Sequence, residues 1–270
     1  SAASDVYKRQ IYNMGRIIAI ANQKGGVGKT TTAVNLSAAL AAAGKKTLII
    51  DMDPQGNTTT GLGLDKNKLE HTVYEVISDE ITFDECICPE VFENLSLAPA
   101  NRNLAGAEIE LMTVDRMQYI LKEKLQPTVE NYEFIIIDCP PALGMLTVNA
   151  MTAADTVIVP IQCEFYALDG LTQLMYTIEL IQKSLNPDLE IEGAVFTMYD
   201  ARTNLSLQVV ENVKSYLNQN IYKTIIPRNV RLAEAPSHGL PINLYDPKSV
   251  GAESYQMLAE EVIANGGKEE

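Results

Sequence analysis

Two lysines, two threonines and three glycines fall within ten residues, Asn22-Gln23-Lys24-Gly25-Gly26-Val27-Gly28-Lys29-Thr30-Thr31. Gly25, Gly26 and Gly28 let backbone N–H groups turn toward an anion, and a helix starting here would add partial positive charge at its N-terminus. From that position Lys29 can reach the β- and γ-phosphates of a nucleotide, and the Thr30 hydroxyl can bind Mg²⁺. The usual phosphate loop, G-x-x-x-x-G-K-[ST], requires glycine at position 23, where this chain has Gln23. Lys24 is a second lysine that cradling phosphates does not require. Three carboxylates complete the set. Asp51 and Asp53 stand in Ile50-Asp51-Met52-Asp53-Pro54-Gln55-Gly56-Asn57, and Asp138 closes Phe134-Ile135-Ile136-Ile137 ahead of Cys139-Pro140-Pro141. Alternation puts Asp51 and Asp53 on one side, and Pro54 stops the strand. Aspartates often merely cap turns. In this order after a phosphate loop they read as catalytic machinery, with Asp138 holding Mg²⁺ directly or through water.

The elements that position these groups follow from the apolar pattern. Ile17–Ala21 is a short buried strand running into the glycine loop. Residues 31–43 form an Ala- and Leu-rich helix that Gly44 stops as a C′ residue. Thr47–Ile50, Phe134–Ile137, Thr156–Val159 and Glu192–Phe196 repeat the strand theme, with helical patterns between them. Continuous β-branched runs alternating with helices predict a parallel sheet buried on both faces. The fold class is therefore α/β: one doubly wound, mostly parallel sheet with helices on both faces, a P-loop NTPase architecture. Residues 61–100, of mixed polarity, yield no element assignment.

Composition removes several function classes. The chain has 270 residues, 46% hydrophobic and 21% charged, a mean hydropathy of −0.02 and a net charge of −14. A globally basic nucleic-acid binder is excluded. No apolar run approaches the ~18 residues that span a bilayer. Tryptophan is absent and aromatics are 6%, so a base-stacking platform is not expected. Cys86, Cys88, Cys139 and Cys163 make neither a disulfide framework nor a zinc or iron–sulfur ligand set, and His71 and His238 are isolated. Asp5–Gln10 reverse-translates to GAT GTG TAT AAG AGA CAG, which resembles a transposon end used in library preparation. Residues 1–13 are accordingly expected to be a non-native or disordered leader, 14–265 the ATPase domain, and 266–270 an acidic tail.

The run Lys24-Gly25-Gly26-Val27-Gly28-Lys29-Thr30-Thr31 resembles the deviant Walker A box of the ParA/MinD ATPases. The resemblance narrows at Asp53-Pro54-Gln55-Gly56-Asn57 and at Ile226-Pro227-Arg228-Asn229-Val230-Arg231 to the ParA/Soj chromosome-partitioning type, from Met14 to the tail. It implies an ATP hydrolase using Mg²⁺, cytoplasmic and nucleoid-associated, which dimerises in the ATP state. It implies that Lys24 touches the partner's nucleotide, that Asp53 positions the attacking water, and that Asp51 lies near the Mg²⁺ held by Thr30 and Asp138. Pro227 and Asn229 would border the adenine. Further implications are non-specific binding to double-stranded DNA and stimulation by a ParB-type centromere-binding protein. Residues 198–231 carry Arg202, Lys214, Lys223, Arg228 and Arg231 against Asp200 and Glu211, a local cationic surplus in an anionic chain. Arg202 and Arg231, helped by Lys223 and Arg228, are the DNA-binding candidates that the resemblance lifts above an ordinary solvated face. A MinD-like membrane-cycling ATPase is the alternative. It would need a basic amphipathic C-terminal helix, whereas residues 259–270 are acidic, so no membrane contact is expected.

Overall fold

The computed structural model describes residues 15–112, 114–164, 167–217 and 220–266. The 1–13 leader, residues 267–270 of the tail and the Tyr216 side chain lie outside the described residues.

Eight strands form one sheet: β1 (Arg16–Ile20), β2 (Thr47–Asp51), β3 (Cys88–Phe92), β4 (Leu95–Ala98), β5 (Phe134–Asp138), β6 (Thr156–Gln162), β7 (Glu190–Tyr199) and β8 (Ile221–Pro227). Their spatial order is β3-β4-β2-β5-β1-β6-β7-β8, parallel throughout except for the antiparallel edge pair β3–β4. The helices are α1 (Lys29–Ala42), α2 (Asn57–Gly61), α3 (Val73–Ile77), α4 (Phe83–Cys86), α5 (Leu104–Leu111), α6 (Ile120–Leu125), α7 (Met145–Ala153), α8 (Ala167–Ser184), α9 (Asn204–Leu217), α10 (Val230–Glu234), α11 (Ile242–Tyr245) and α12 (Val250–Asn265).

Strand periodicity of two divides the core. Ile18, Ile20, Ile49, Ile136 and Ile158 face a layer built from α1 and α10 to α12. Ala19, Leu48, Ile50, Ile135, Ile137 and Val157 face the opposite layer, α3 to α9. Helix α1 packs on the sheet and against α12, which itself lies on β8, and small side chains suit this close approach: Ala33, Ala38 and Ala41 are all buried. It starts at Lys29 rather than Thr31, because Gly28 (φ 87°) caps it from the left-handed region, and Gly44 (φ 79°) terminates it.

Beyond the start of α1, the structure lengthens β7 to Glu190–Tyr199 and differs from the sequence reading in β6 and in residues 61–100. Strand β6 continues past Val159 to Gln162 through Pro160. The β1 register on β6 ends at Ile158, so the missing proline N–H costs no ladder bond there. Residues 61–100 hold α3, α4 and the β3–β4 edge. Capping boxes start both helices: Thr72 with Glu75, and Thr82 with Glu85.

At the amino ends of the strands a buried polar network ties β6, β7, β8 and β1 together. Glu192, 3% exposed at its side chain, pairs with Arg16 at 2.7 Å and accepts from Thr156 Oγ1 (2.7 Å) and Tyr222 Oη (2.6 Å). Arg16 also donates to the Val262 carbonyl of α12. Glu192→Ala strips three donors of one acceptor, and losing one partner of a buried pair costs about 3 kcal/mol. The expected result is a Tm lower by roughly 6 °C or more. An unchanged calorimetric Tm would remove this network from the forces holding the sheet.

Candidate nucleotide site

Strands β2 to β5 all lie on one side of β1, with β5 returning to pair beside it, and β6 to β8 lie on the other, so the carboxyl end of β1 is the topological switch point where ligands bind in such sheets. The registers Ile20↔Asp138 and Asp51↔Asp138 bring three strand ends level there. The glycine loop follows β1 directly. Gly26 (φ 76°) and Gly28 (φ 87°) take left-handed conformations that a side chain would strain. Thr197 at the end of β7 braces the loop by donating to the Val27 carbonyl at 2.8 Å.

Lys29 is almost fully buried, and its Nζ donates to the Lys24 carbonyl at 2.8 Å, across the mouth of the loop. Burial lowers its pKa, and the nearby carboxylates of Asp138 and, less, Asp53 oppose that shift. Lys24 pairs with Glu164, just after β6.

Asp51 and Asp138 are completely buried side by side. Burial pushes both carboxyls upward, Asp51 adds repulsion at Asp138, and hydroxyl donors work against the shift. The oxygens of Asp51 are engaged: Oδ1 accepts from the Asp53 N–H (3.2 Å), and Oδ2 accepts from the N–H and Oγ1 of Thr59 (2.9 and 2.7 Å). Asp138 is asymmetric. Its Oδ2 accepts from Thr30 Oγ1 and Thr58 Oγ1, both at 2.8 Å, whereas buried Oδ1 has no partner. Asp53 is nearly buried and accepts from the Gln55 N–H at 2.9 Å.

An orphaned carboxylate oxygen beside a phosphate-loop hydroxyl fits Mg²⁺. Thr30 spends its only proton on Asp138, leaving its lone pairs for a cation. Among the described residues no cluster of three or more His, Cys, Asp or Glu could cage a metal alone. Mg²⁺ bound mainly by water and phosphate does not need one. Asp51, expected near the metal, stands beside Asp138 in register, and its oxygens accept from Asp53 and from Thr59 of α2.

A cavity of 190 Å³ opens beside the loop, lined by Gly28, Thr31, Met198, Pro227, Asn229 and Tyr255. Pro227 and Asn229, the residues expected to border the adenine, are both in its lining. Asn229 caps α10 by accepting the Arg231 N–H at 2.8 Å, which leaves its amide NH₂ as donor. Sequence reasoning missed Thr58, Thr59, Glu164, Met198 and Tyr255. The run of threonines after Asn57 was a legible cue to the first two.

The cationic candidates do not form one stripe. Arg202 makes a bidentate pair with Asp200 (2.8 and 2.6 Å), and Arg228 lies close enough to help hold Asp200 well below the usual carboxylate range. Arg231 pairs with Glu234 at 2.9 Å and Asp246 at 3.5 Å. The structure separates Lys223 from these: it lies about 13 Å back along β8 from Pro227, and its N–H donates to Glu261. All four cysteines are free, and three are buried. Among the described residues no helix is long and apolar enough to cross a membrane.

A family model described as an AAA domain matches residues 15–191. The sporulation initiation inhibitor protein Soj of Bacillus subtilis is 58% identical over 253 residues, covering 94% of this chain and all of that one. The chromosome partitioning protein ParA of Myxococcus xanthus is 51% identical, covering 93% and 88%. This chain belongs to the ParA/Soj family of chromosome-partitioning ATPases. Its fold is also that of a Mycobacterium smegmatis cobyrinic acid a,c-diamide synthase solved with ADP and magnesium, at a TM-score of 0.83 and 39% identity, covering 94% of this chain and 96% of that one.

Proposed function

We propose that the chain binds ATP with Mg²⁺ at this site and hydrolyses it to ADP and phosphate. In the ATP state it closes into a homodimer that binds double-stranded DNA without sequence preference. A ParB-type centromere-binding protein stimulates turnover. The observation that carries the nucleotide reading is the bare Asp138 Oδ1, buried beside Thr30 and Lys29 at the head of α1. Mg²⁺, when bound, would supply positive charge against the two buried carboxylates and the phosphates. Thr30 and Asp138 would hold it, and Asp51 would hold the loop that carries Asp53. The N–H groups of Gly25 to Thr31 and the Lys29 ammonium take the phosphates. Pro227 flanks the purine, and the Asn229 amide donates to its edge. Asp53 orients the attacking water, in a reaction driven by positioning and electrostatics.

Lys24 acts in the dimer. Exchanging Glu164 for the partner's phosphates replaces one ionic contact by another, so the switch costs little free energy. Two copies of the Arg202, Arg228 and Arg231 region on one face then multiply the phosphate contacts, and binding becomes dependent on the nucleotide.

Light scattering and filter binding on the same samples test both claims. The wild type should double its mass with ATP, and its DNA affinity should fall with salt at a log–log slope of about −0.9 per phosphate neutralised. Lys24→Ala should bind ATP yet remain monomeric and bind DNA poorly. Arg231→Ala should dimerise normally, bind all sequences more weakly and reduce the slope by about one. An ATP dimer of Lys24→Ala as tight as wild type, or an unaltered slope for Arg231→Ala, would refute the corresponding role.

A further inference from the structure

Helix α2 is five residues long and follows the loop that carries Asp53. Polar contacts tie it to both acidic strand ends. Thr58, fully buried, donates Oγ1 to Asp138 Oδ2 at 2.8 Å. Thr59, also fully buried, donates its N–H and Oγ1 to Asp51 Oδ2, and its hydroxyl accepts the Ala100 N–H at 2.9 Å. Between strand and helix the chain folds back on itself: the Gly56 N–H donates to the Asp53 carbonyl at 2.8 Å, and the Thr60 N–H to the Gly56 carbonyl at 3.1 Å. Gly56 is left-handed (φ 61°), and a Cβ there would lie 2.7 Å from the Ala100 carbonyl oxygen. The loop holding Asp53 is therefore anchored at its far end by two hydroxyls on two carboxylates from different strands.

We infer that Thr58 is a positioning residue for the hydrolytic step: its hydroxyl fixes the loop between β2 and α2, and with it Asp53, to Asp138. Thr30 and Thr58 both donate their hydroxyl protons to Oδ2. That double donation saturates Oδ2 and leaves Oδ1 as the bare oxygen. Thr58 thereby helps fix which oxygen of Asp138 is left bare, and it places the loop that carries the water-orienting carboxylate. The contact links β5 to α2 across 80 residues of sequence. The inference rests on the proposed ATPase reading.

Thr58→Val keeps the side-chain volume and deletes the donor, and Thr58→Ser restores the donor without the methyl group. Amide hydrogen exchange of the nucleotide-free chain is the first readout. In Thr58→Val, exchange in residues 54–60 should quicken by about tenfold, with β2 and β5 unchanged, and in Thr58→Ser it should return to the wild-type rate. Steady-state MgATP hydrolysis is the second readout. In Thr58→Val kcat should fall by about 10- to 100-fold with KM within about threefold, as expected when a catalytic group is misplaced rather than removed. Thr58→Ser should recover most of kcat. Wild-type exchange and kcat in Thr58→Val would overturn the inference. So would failure of Thr58→Ser to rescue, or exchange that quickens equally in β2 and β5 and so assigns Thr58 to global stability. A wild-type chain that does not hydrolyse ATP would refute the ATPase reading itself, while the exchange contrast would still decide whether Thr58 anchors the loop.

Discussion

Replacing Lys29 with alanine is expected to weaken ATP binding by about 100-fold or more, the usual penalty for truncating one partner of a buried, hydrogen-bonded charge pair. The ammonium is buried at the head of α1 and spans the loop to the Lys24 carbonyl at 2.8 Å. A phosphate entering there meets a desolvated charge whose attraction water screens little. Backbone N–H groups of the glycine loop remain in the variant, so the fold and a weak phosphate site persist. Isothermal titration with ATP and Mg²⁺ measures the loss, and a circular dichroism melt checks the fold. Affinity within a few-fold of wild type would show that the backbone nest does the binding and would displace Lys29 from its assigned role.

Asp53→Ala should have an effect of similar size on a different quantity. ATP binding and the ATP-dependent dimer should survive, and kcat should fall by about 10²- to 10⁴-fold, the range for removing a group that orients or deprotonates a nucleophile. The dimer should then persist on ATP for as long as hydrolysis is blocked. Asp53 is suited to this role because it stands beyond the end of β2, held by the Gln55 N–H at one oxygen, whereas Asp51 behind it has both oxygens engaged. Single-turnover hydrolysis with light scattering on the same sample separates chemistry from dimer dissociation. Wild-type turnover in Asp53→Ala would overturn the assignment.

Much of this protein was determined by local sequence alone. Gly26 and Gly28 were legible as a phosphate loop because their left-handed backbone is a property of single residues. The central strands were legible because unbroken β-branched runs such as Ile135-Ile136-Ile137 suit only a sheet covered on both faces. Strand, glycine loop, Asp-x-Asp-Pro and strand-ending Asp138, in that order, pointed to the site and to the family. Residues 61–100 were illegible for the opposite reason. Elements of four or five residues have too few turns to show a period, and packing against the sheet stabilises them.

Tertiary structure alone decided which charges meet. The β2–β5 pairing sets Asp51 beside Asp138, and parallel crossovers bring Glu164 to Lys24 and Thr58 to Asp138. Periodicity within a segment carries no information about contacts between groups 80 or 140 residues apart. The same holds for the cavity beside the loop, assembled from the ends of β7 and β8, α1 and α12, and for Asp200 and Asp246 lying against the arginines. Sequence specified the chemical groups and the backbone turns that present them. Strand order specified their partners, and those partners decide which carboxylate oxygen is left bare.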